Sequence, residues 1–239
     1  MIKPKEVTMN RNEILERYNQ ILNNINAAKQ KYNIEYDINV VAVSKYSSIE
    51  TIKEFLSLDI DLPLGESKAQ SLRDRAGEIA QLKNNVKWHF IGRIQSNKVK
   101  YIVRYADLIQ SVDSVEIAEY INKEAIKNNK VQNILLQFNI SDEDQKGGFN
   151  INNYIDIYEN IIKMSNISVK GLMGIGKDSE NLLLIEEEFE KLNTIYKSIN
   201  LKYNNPLSIL SMGMSSDYEL AIKHGSNMIR IGSSFLGNS

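Results

Sequence analysis

The chain has no cysteine, three prolines, twelve glycines and two histidines among its 239 residues. Without cysteine it can have no disulfide, no thiolate nucleophile and no Cys-ligated metal. Two histidines, His89 and His224, are too few for a usual zinc site. Proline and glycine fall below their usual shares of about 5% and 7%, which leaves no Pro- or Gly-rich linker and weakens a two-domain reading. No charge sign dominates: 29 Lys and Arg stand against 30 Asp and Glu, net −1, which disfavours a broad nucleic-acid-binding surface. No apolar run approaches the ~18 residues of a membrane span. The leading MIKPKEVTMNRNEIL is charged and lacks the apolar segment of a secretory signal. A cytoplasmic chain with neither a membrane nor a nucleic-acid partner is expected.

What is present is an ordinary globular composition, 42% hydrophobic and 25% charged. A length of 239 lies in the ~200–250 range in which an α/β barrel forms one domain, so a single domain is expected over residues 1–239. If Met9 is the true start, residues 1–8 would be an unstructured tail. Eight short β-branched runs recur at 39–44, 61–65, 86–91, 107–112, 133–140, 168–173, 206–212 and 227–231. Amphipathic stretches separate them at 49–58, 67–83, 96–104, 114–129, 151–164, 180–199 and 215–224. About 30 residues per unit is the size of a minimal βα element. Near-continuous apolar strands imply burial on both faces, and the fold class expected is α/β, a (β/α)8 TIM-type barrel. An open doubly wound sheet of the dinucleotide-binding kind would want G-x-G-x-x-G after the first strand, whereas VVAVS runs into Lys45-Tyr46-Ser47-Ser48. An additional helix over 9–32, with Ile14, Tyr18, Ile21 and Ile25 on one stripe, would cap or flank the barrel.

Two motif spellings fail on chemistry. GLMGIGKD (171–178) matches a phosphate loop up to its last position, where Asp178 replaces the hydroxyl that would ligate magnesium and would repel a triphosphate. It reads as an ordinary strand-to-helix loop. DEDQKGGFNINN (142–153) resembles a calcium loop, but Lys146 and Asn153 occupy its fifth and twelfth positions, so the bidentate carboxylate is missing. It reads as a solvated charged turn.

Active sites of such barrels lie at the carboxyl ends of the strands. Strand one ends in Ser44-Lys45, directly after buried VVAV. Lys45 is either a lysine snorkelling to the rim or a desolvated amine poised for Schiff-base chemistry, since burial supplies the neutral nucleophile. Strand seven runs into Ser211-Met212-Gly213-Met214-Ser215-Ser216-Asp217 and strand eight into Arg230-Ile231-Gly232-Ser233-Ser234. The loops after these two strands frequently form a phosphate site, and small residues let backbone N–H groups approach it while Ser215 and Ser233 add donors. A lysine facing a phosphate cradle suits a phosphorylated aldehyde, with pyridoxal 5'-phosphate (PLP) as the candidate cofactor. Arg230 would lie beside its ring nitrogen and, unable to give up a proton readily, would leave a weak electron sink. Met173, Met212 and Met214 read as packing, though Met212 and Met214 stand where a cofactor ring could touch them, and Asn139, ending strand five, could line the pocket. His89, inside WHFI, reads as a hydrogen-bonded core or rim residue, and Ser96 as an N-cap or a ligand contact.

The runs VAVSK (41–45), WHFIGRIQSNK (88–98), SVDS (111–114), QFNISDEDQKGG (137–148), GLMGI (171–175), SMGMSSDYELAI (211–222) and RIGSSFLG (230–237) resemble the pyridoxal phosphate homeostasis protein family. That family is a single-domain relative of the alanine racemase barrel. The resemblance covers about 40–237 with its motifs in order. It implies that Lys45 is the Schiff-base lysine, that Arg230 faces the ring nitrogen and that Ser215, Gly232 and Ser233 bind the phosphate. Two positions depart from the family: Ser67 stands where relatives usually have Asn, and residues 174–176 lack a common proline.

The function expected is therefore a PLP carrier or homeostasis protein that holds the cofactor reversibly on Lys45, without strong catalytic activity and with no catalytic residue. PLP-dependent apoenzymes are candidate recipients, and a monomer is expected. The alternative is a weak racemase-like enzyme. Racemisation needs acid/base groups on both faces of the substrate, and the racemase family's second group comes from a C-terminal β-domain for which the chain ends too early. A cofactor-free aldolase-type barrel using Lys45 is a third reading.

Overall fold

The computed structural model describes residues 8–141, 143, 147–204 and 207–237. All eight short runs become parallel strands: β1 (Asn39–Val43), β2 (Leu64–Glu66), β3 (Trp88–Phe90), β4 (Leu108–Val112), β5 (Gln132–Phe138), β6 (Ile167–Gly174), β7 (Ile209–Ser211) and β8 (Met228–Ile231). They pair in sequence order and the last closes on the first, giving a (β/α)8 barrel. Closure runs through Asn39↔Met228, Val40↔Ile229, Val41↔Arg230 and Ala42↔Ile231. β2 begins three residues later than its apolar run because Pro63 has no N–H to give to a ladder. Its carbonyl still accepts from Ala42 N at 2.9 Å.

The period of two along each strand sorts the side chains. Val41, Val43, Leu108, Leu135, Met173 and Met228 point inward and pack with Ile91, Ile175 and Ile209. Val40, Ala42, Leu64, Ile109, Leu136, Leu172 and Ile231 join the larger outer core under the helices. Each Val, Leu, Ile or Met among them, fully buried, stabilises by about 1.5–3 kcal/mol.

The helices are α1 (Arg11–Tyr32), α2 (Ile49–Leu56), α3 (Ala69–Ile79), α4 (Val99–Tyr105), α5 (Val115–Lys127), α6 (Tyr154–Ile161), α7 (Leu182–Lys202), α8 (Tyr218–Lys223) and α9 (Ser233–Leu236). α1 opens with a capping box, Asn10 with Glu13, and lies against α2, α8 and α9. It buries Ile14, Ile21 and Ile25, while Tyr18 stacks on Phe235 at 5.9 Å. Its polar side also grips the rim: Arg17 Nη1 donates to Ser233 O at 3.2 Å and Asn24 Nδ2 to Tyr218 Oη at 3.0 Å. α9 was not among the expected helices, since four residues are too few to display a 3.6 period.

Ser96 does not cap α4. It begins a 3-10 turn (Ser96–Lys98) in which Gln95 holds the cap position and no side chain caps. Residues 1–7 of the expected tail, residues 142 and 144–146 of the charged turn, and residue 206 of the seventh run lie outside the described residues. Met9, by contrast, is buried, with its N–H donating to Thr51 Oγ1 at 3.1 Å. Among the described residues no helix is long and apolar enough to cross a membrane.

Candidate functional site

At the carboxyl-terminal rim, the ends of β1, β3, β7 and β8 enclose a cavity of about 330 Å3. β1 contributes Val43, Lys45 and Tyr46, and the end of β3 contributes Ile91. The segment after β7 contributes Met214, Ser215 and Ser216, and β8 with its following loop Arg230, Gly232, Ser233 and Gly237. Six of the residues singled out in the sequence thus meet in one place: Lys45, Met214, Ser215, Arg230, Gly232 and Ser233. Met212 and Asn139 do not line this cavity. Ser211 faces inward, so strand alternation turns Met212 into the outer core, and Met214 is the methionine at the cavity. The Asn139 side chain instead stitches the loop after β5, donating to Glu143 O at 3.0 Å and accepting from Ser141 Oγ at 3.2 Å.

Lys45 stands in a turn closed by Ser47 N donating to Ser44 O at 2.9 Å. Its side chain is exposed, so the protein alone does not desolvate the amine. Its Nζ lies 4.8 Å from the centre of the Tyr46 ring. The loops after β7 and β8 meet at the cavity, where Gly232 N donates to Ser215 Oγ at 3.4 Å. A Cβ at Gly232 would meet nothing closer than 3.6 Å, so what it would fill is the cavity itself. Gly213 makes the preceding turn possible. Its φ of +90° is left-handed, and a Cβ there would sit 2.7 Å from Ala221 Cβ and 2.8 Å from Tyr218 Cα.

Arg230 is buried, and its guanidinium is held by Ser211 and Gly174. Nη1 donates to Ser211 O at 3.0 Å and Ser211 Oγ at 2.7 Å, and Nη2 to Gly174 O at 3.0 Å. From Ser211 a chain of hydrogen bonds crosses the barrel interior. Ser211 Oγ donates to Gln110 Oε1 at 2.7 Å, and Gln110 Nε2 faces His89 Nδ1 at 3.0 Å. Each link donates away from Arg230, so His89 Nδ1 must accept and its proton sits on Nε2. Burial, and secondarily the charge of Lys87, pushes His89 down to about 4, so it is neutral at physiological pH. Burial also lowers Arg230 to about 10, against a partial offset from Asp217, which leaves it protonated. Asp217 is itself pushed up by burial, and its Oδ1 accepts from Met214 N at 2.6 Å, closing the turn that carries Ser215 and Ser216.

Sequence reasoning missed Gln110, Asp217 and Tyr46 at this site. A polar side chain inside an apolar strand, LIQSV, was the visible signal for Gln110. Chemically, the cavity offers one amine, one guanidinium, serine hydroxyls and no carboxylate among its lining residues. That donor set suits an anionic, carbonyl-bearing ligand.

The fold and this rim define an alanine racemase type of barrel. Residues 17–239 match the family described as alanine racemase, N-terminal domain. A solved alanine racemase of Clostridium difficile 630 superposes with a TM-score of 0.71 over 95% of this chain and 56% of its own, at 16% identity, a likeness of fold alone. The chain belongs to the pyridoxal phosphate homeostasis protein family. It is 35% identical over 223 residues to the pyridoxal phosphate homeostasis protein of Aquifex aeolicus, covering 93% of this chain and 96% of that one. The structure of PipY from Synechococcus elongatus PCC7942 with PLP bound matches with a TM-score of 0.78 at 25% identity, covering 94% of this chain and all of that one.

Proposed function

We propose that this chain is a cytoplasmic PLP-holding protein of cofactor homeostasis, which binds PLP reversibly through a Schiff base on Lys45 and passes it to apoenzymes as a monomer. The observation that carries the reading is the convergence of Lys45 from β1, Arg230 from β8 and the Ser215, Gly232 and Ser233 loops on one cavity of about 330 Å3. The volume is within the ~300–1,000 Å3 of small-molecule sites. When bound, PLP would supply an aldehyde that captures an amine and a ring that can accept electrons.

The chain's own residues then have separate tasks. Lys45 would hold the cofactor through its amine, by a C=N bond to the aldehyde carbon that forms with loss of one water and that water can reverse, which suits a carrier. Ser215, Ser233 and the N–H groups around Gly232 hold the phosphate oxygens. Arg230, fixed by Ser211 and Gly174, presents a cation where the ring nitrogen would lie and withholds a proton from it. Besides Arg230, the lining carries as acid–base side chains Lys45 and its chain neighbour Tyr46, with Lys45 Nζ 4.8 Å from the Tyr46 ring centre.

The test is the absorbance spectrum of the purified protein with added PLP, before and after borohydride, followed by mass mapping of the modified lysine. A visible band that borohydride removes, with a pyridoxyl group on Lys45, is expected. A protein that gains no band would overturn the reading, as would modification confined to another lysine.

A further inference from the structure

Lys45 reaches the cavity on a long, exposed arm, so where its amine stands depends on where the turn beneath it is held. That turn spans Ser44 to Ser47, and its two ends are gripped from outside the barrel by one side chain. Arg75, on α3, donates through Nη1 to Ser44 O at 2.5 Å and through Nη2 to Ser47 O at 2.7 Å. These carbonyls bracket Lys45 and Tyr46. Arg75 is in turn held by Glu66, the last residue of β2, whose Oε1 accepts from Arg75 Nη1 and also from Ser44 Oγ at 2.6 Å. Glu66 is buried, with its side chain 1% exposed, and Arg75 is 20% exposed.

We propose that Arg75, oriented by Glu66, is the positioning residue for Lys45, fixing the turn so that the amine meets the ligand's carbonyl carbon. This inference rests on the Schiff-base reading above. Three features argue for positioning over plain stabilisation. A planar guanidinium can hold two carbonyls and a carboxylate at once in a fixed fork, which an ammonium cannot. Glu66 Oε2 is buried with no hydrogen-bond partner, a deficit that makes the pair a poor source of net stability compared with apolar packing. The grip falls on backbone carbonyls immediately around the reactive residue, where misplacing a reacting group by about 1 Å can slow bond formation by on the order of a hundredfold.

The test follows two probes on the whole protein: PLP, which can form C=N with Lys45 and release water, and pyridoxamine 5'-phosphate, which carries an amine in place of the aldehyde and cannot. For Arg75→Gln, the visible band is expected to appear at least about tenfold more slowly, while pyridoxamine 5'-phosphate binds within about twofold of the wild type. Arg75→Lys, able to bond one carbonyl at a time, should recover part of the rate. Band formation at the wild-type rate in folded Arg75→Gln would overturn the inference. So would equal weakening of both probes, because the pair would then shape the whole cavity. If Arg75→Gln fails to fold, Arg75→Lys is read by the same two criteria. A wild-type protein without the band refutes the Schiff-base reading itself, whereas a normal wild-type band with an unaffected variant refutes only the role of Arg75.

Discussion

Lys45 carries the covalent step of the proposed function, yet its exposed side chain contributes little to the barrel. Lys45→Ala is therefore expected to abolish the visible PLP band and shift the melting temperature by less than about 2 °C, as surface substitutions do. A larger loss, measured without cofactor, would make it a structural lysine. His89 has the opposite character: buried, neutral and outside the cavity lining. Its value in the folded state, about 4, lies below the ordinary 6.5, so the unfolded chain binds the extra proton as pH falls between them. Stability contributed above pH 6.5 is thus lost on acidification towards 4, by about 2–3 kcal/mol at pH 4.5. Urea unfolding at pH 7 and pH 4.5 should show His89→Gln losing less than the wild type by roughly that amount. Lys45 was legible in sequence as a charge at the end of an apolar strand. The partners of His89 were not, because Gln110, Ser211 and Arg230 lie far apart in sequence and meet only across the barrel interior.

The segments after β7 and β8 show how much of a loop's function its glycines and hydroxyls announce. Gly213 is required by a left-handed φ and by the approach of α8, so Gly213→Ala is expected to destabilise by about 2–3 kcal/mol in thermal or denaturant unfolding and to weaken PLP retention with it. Ser233→Ala removes one hydroxyl and leaves the backbone donors, so PLP should dissociate about three- to tenfold faster, a single hydrogen bond's worth. Unchanged dissociation kinetics would put the phosphate elsewhere. Both positions were visible as Gly-Ser clusters at the expected strand ends. The two methionines divide by one step of the strand period: the inward-facing Ser211 turns Met212 to packing in the outer core and leaves Met214, of the two, at the cavity. Ser96 failed as a cap because its segment enters α4 through a 3-10 turn, a geometry that composition does not announce.

For the barrel as a whole, a ligand bound only by the folded state stabilises it by mass action, so PLP at a hundred times its dissociation constant should add about 2.7 kcal/mol, read as a rise in melting temperature that Lys45→Ala reduces. Purified protein is expected to interconvert alanine enantiomers no faster than a Lys45→Ala control; robust lysine-dependent racemisation would restore the enzyme reading. The sequence by itself determined the barrel, since eight buried runs alternating with amphipathic stretches have few other ways to cover both faces of a parallel sheet. It also determined the chemical types at the rim, because strand ends and small-residue loops are local features. Only the tertiary structure decided which of those groups share a cavity, what holds Arg230, and how Arg75 and Glu66 grip the turn of Lys45. The physical reason is that closing β8 on β1 joins residues nearly two hundred positions apart. The contacts that orient a reactive group form across that closure and across helix-to-turn packing, where no local pattern records them.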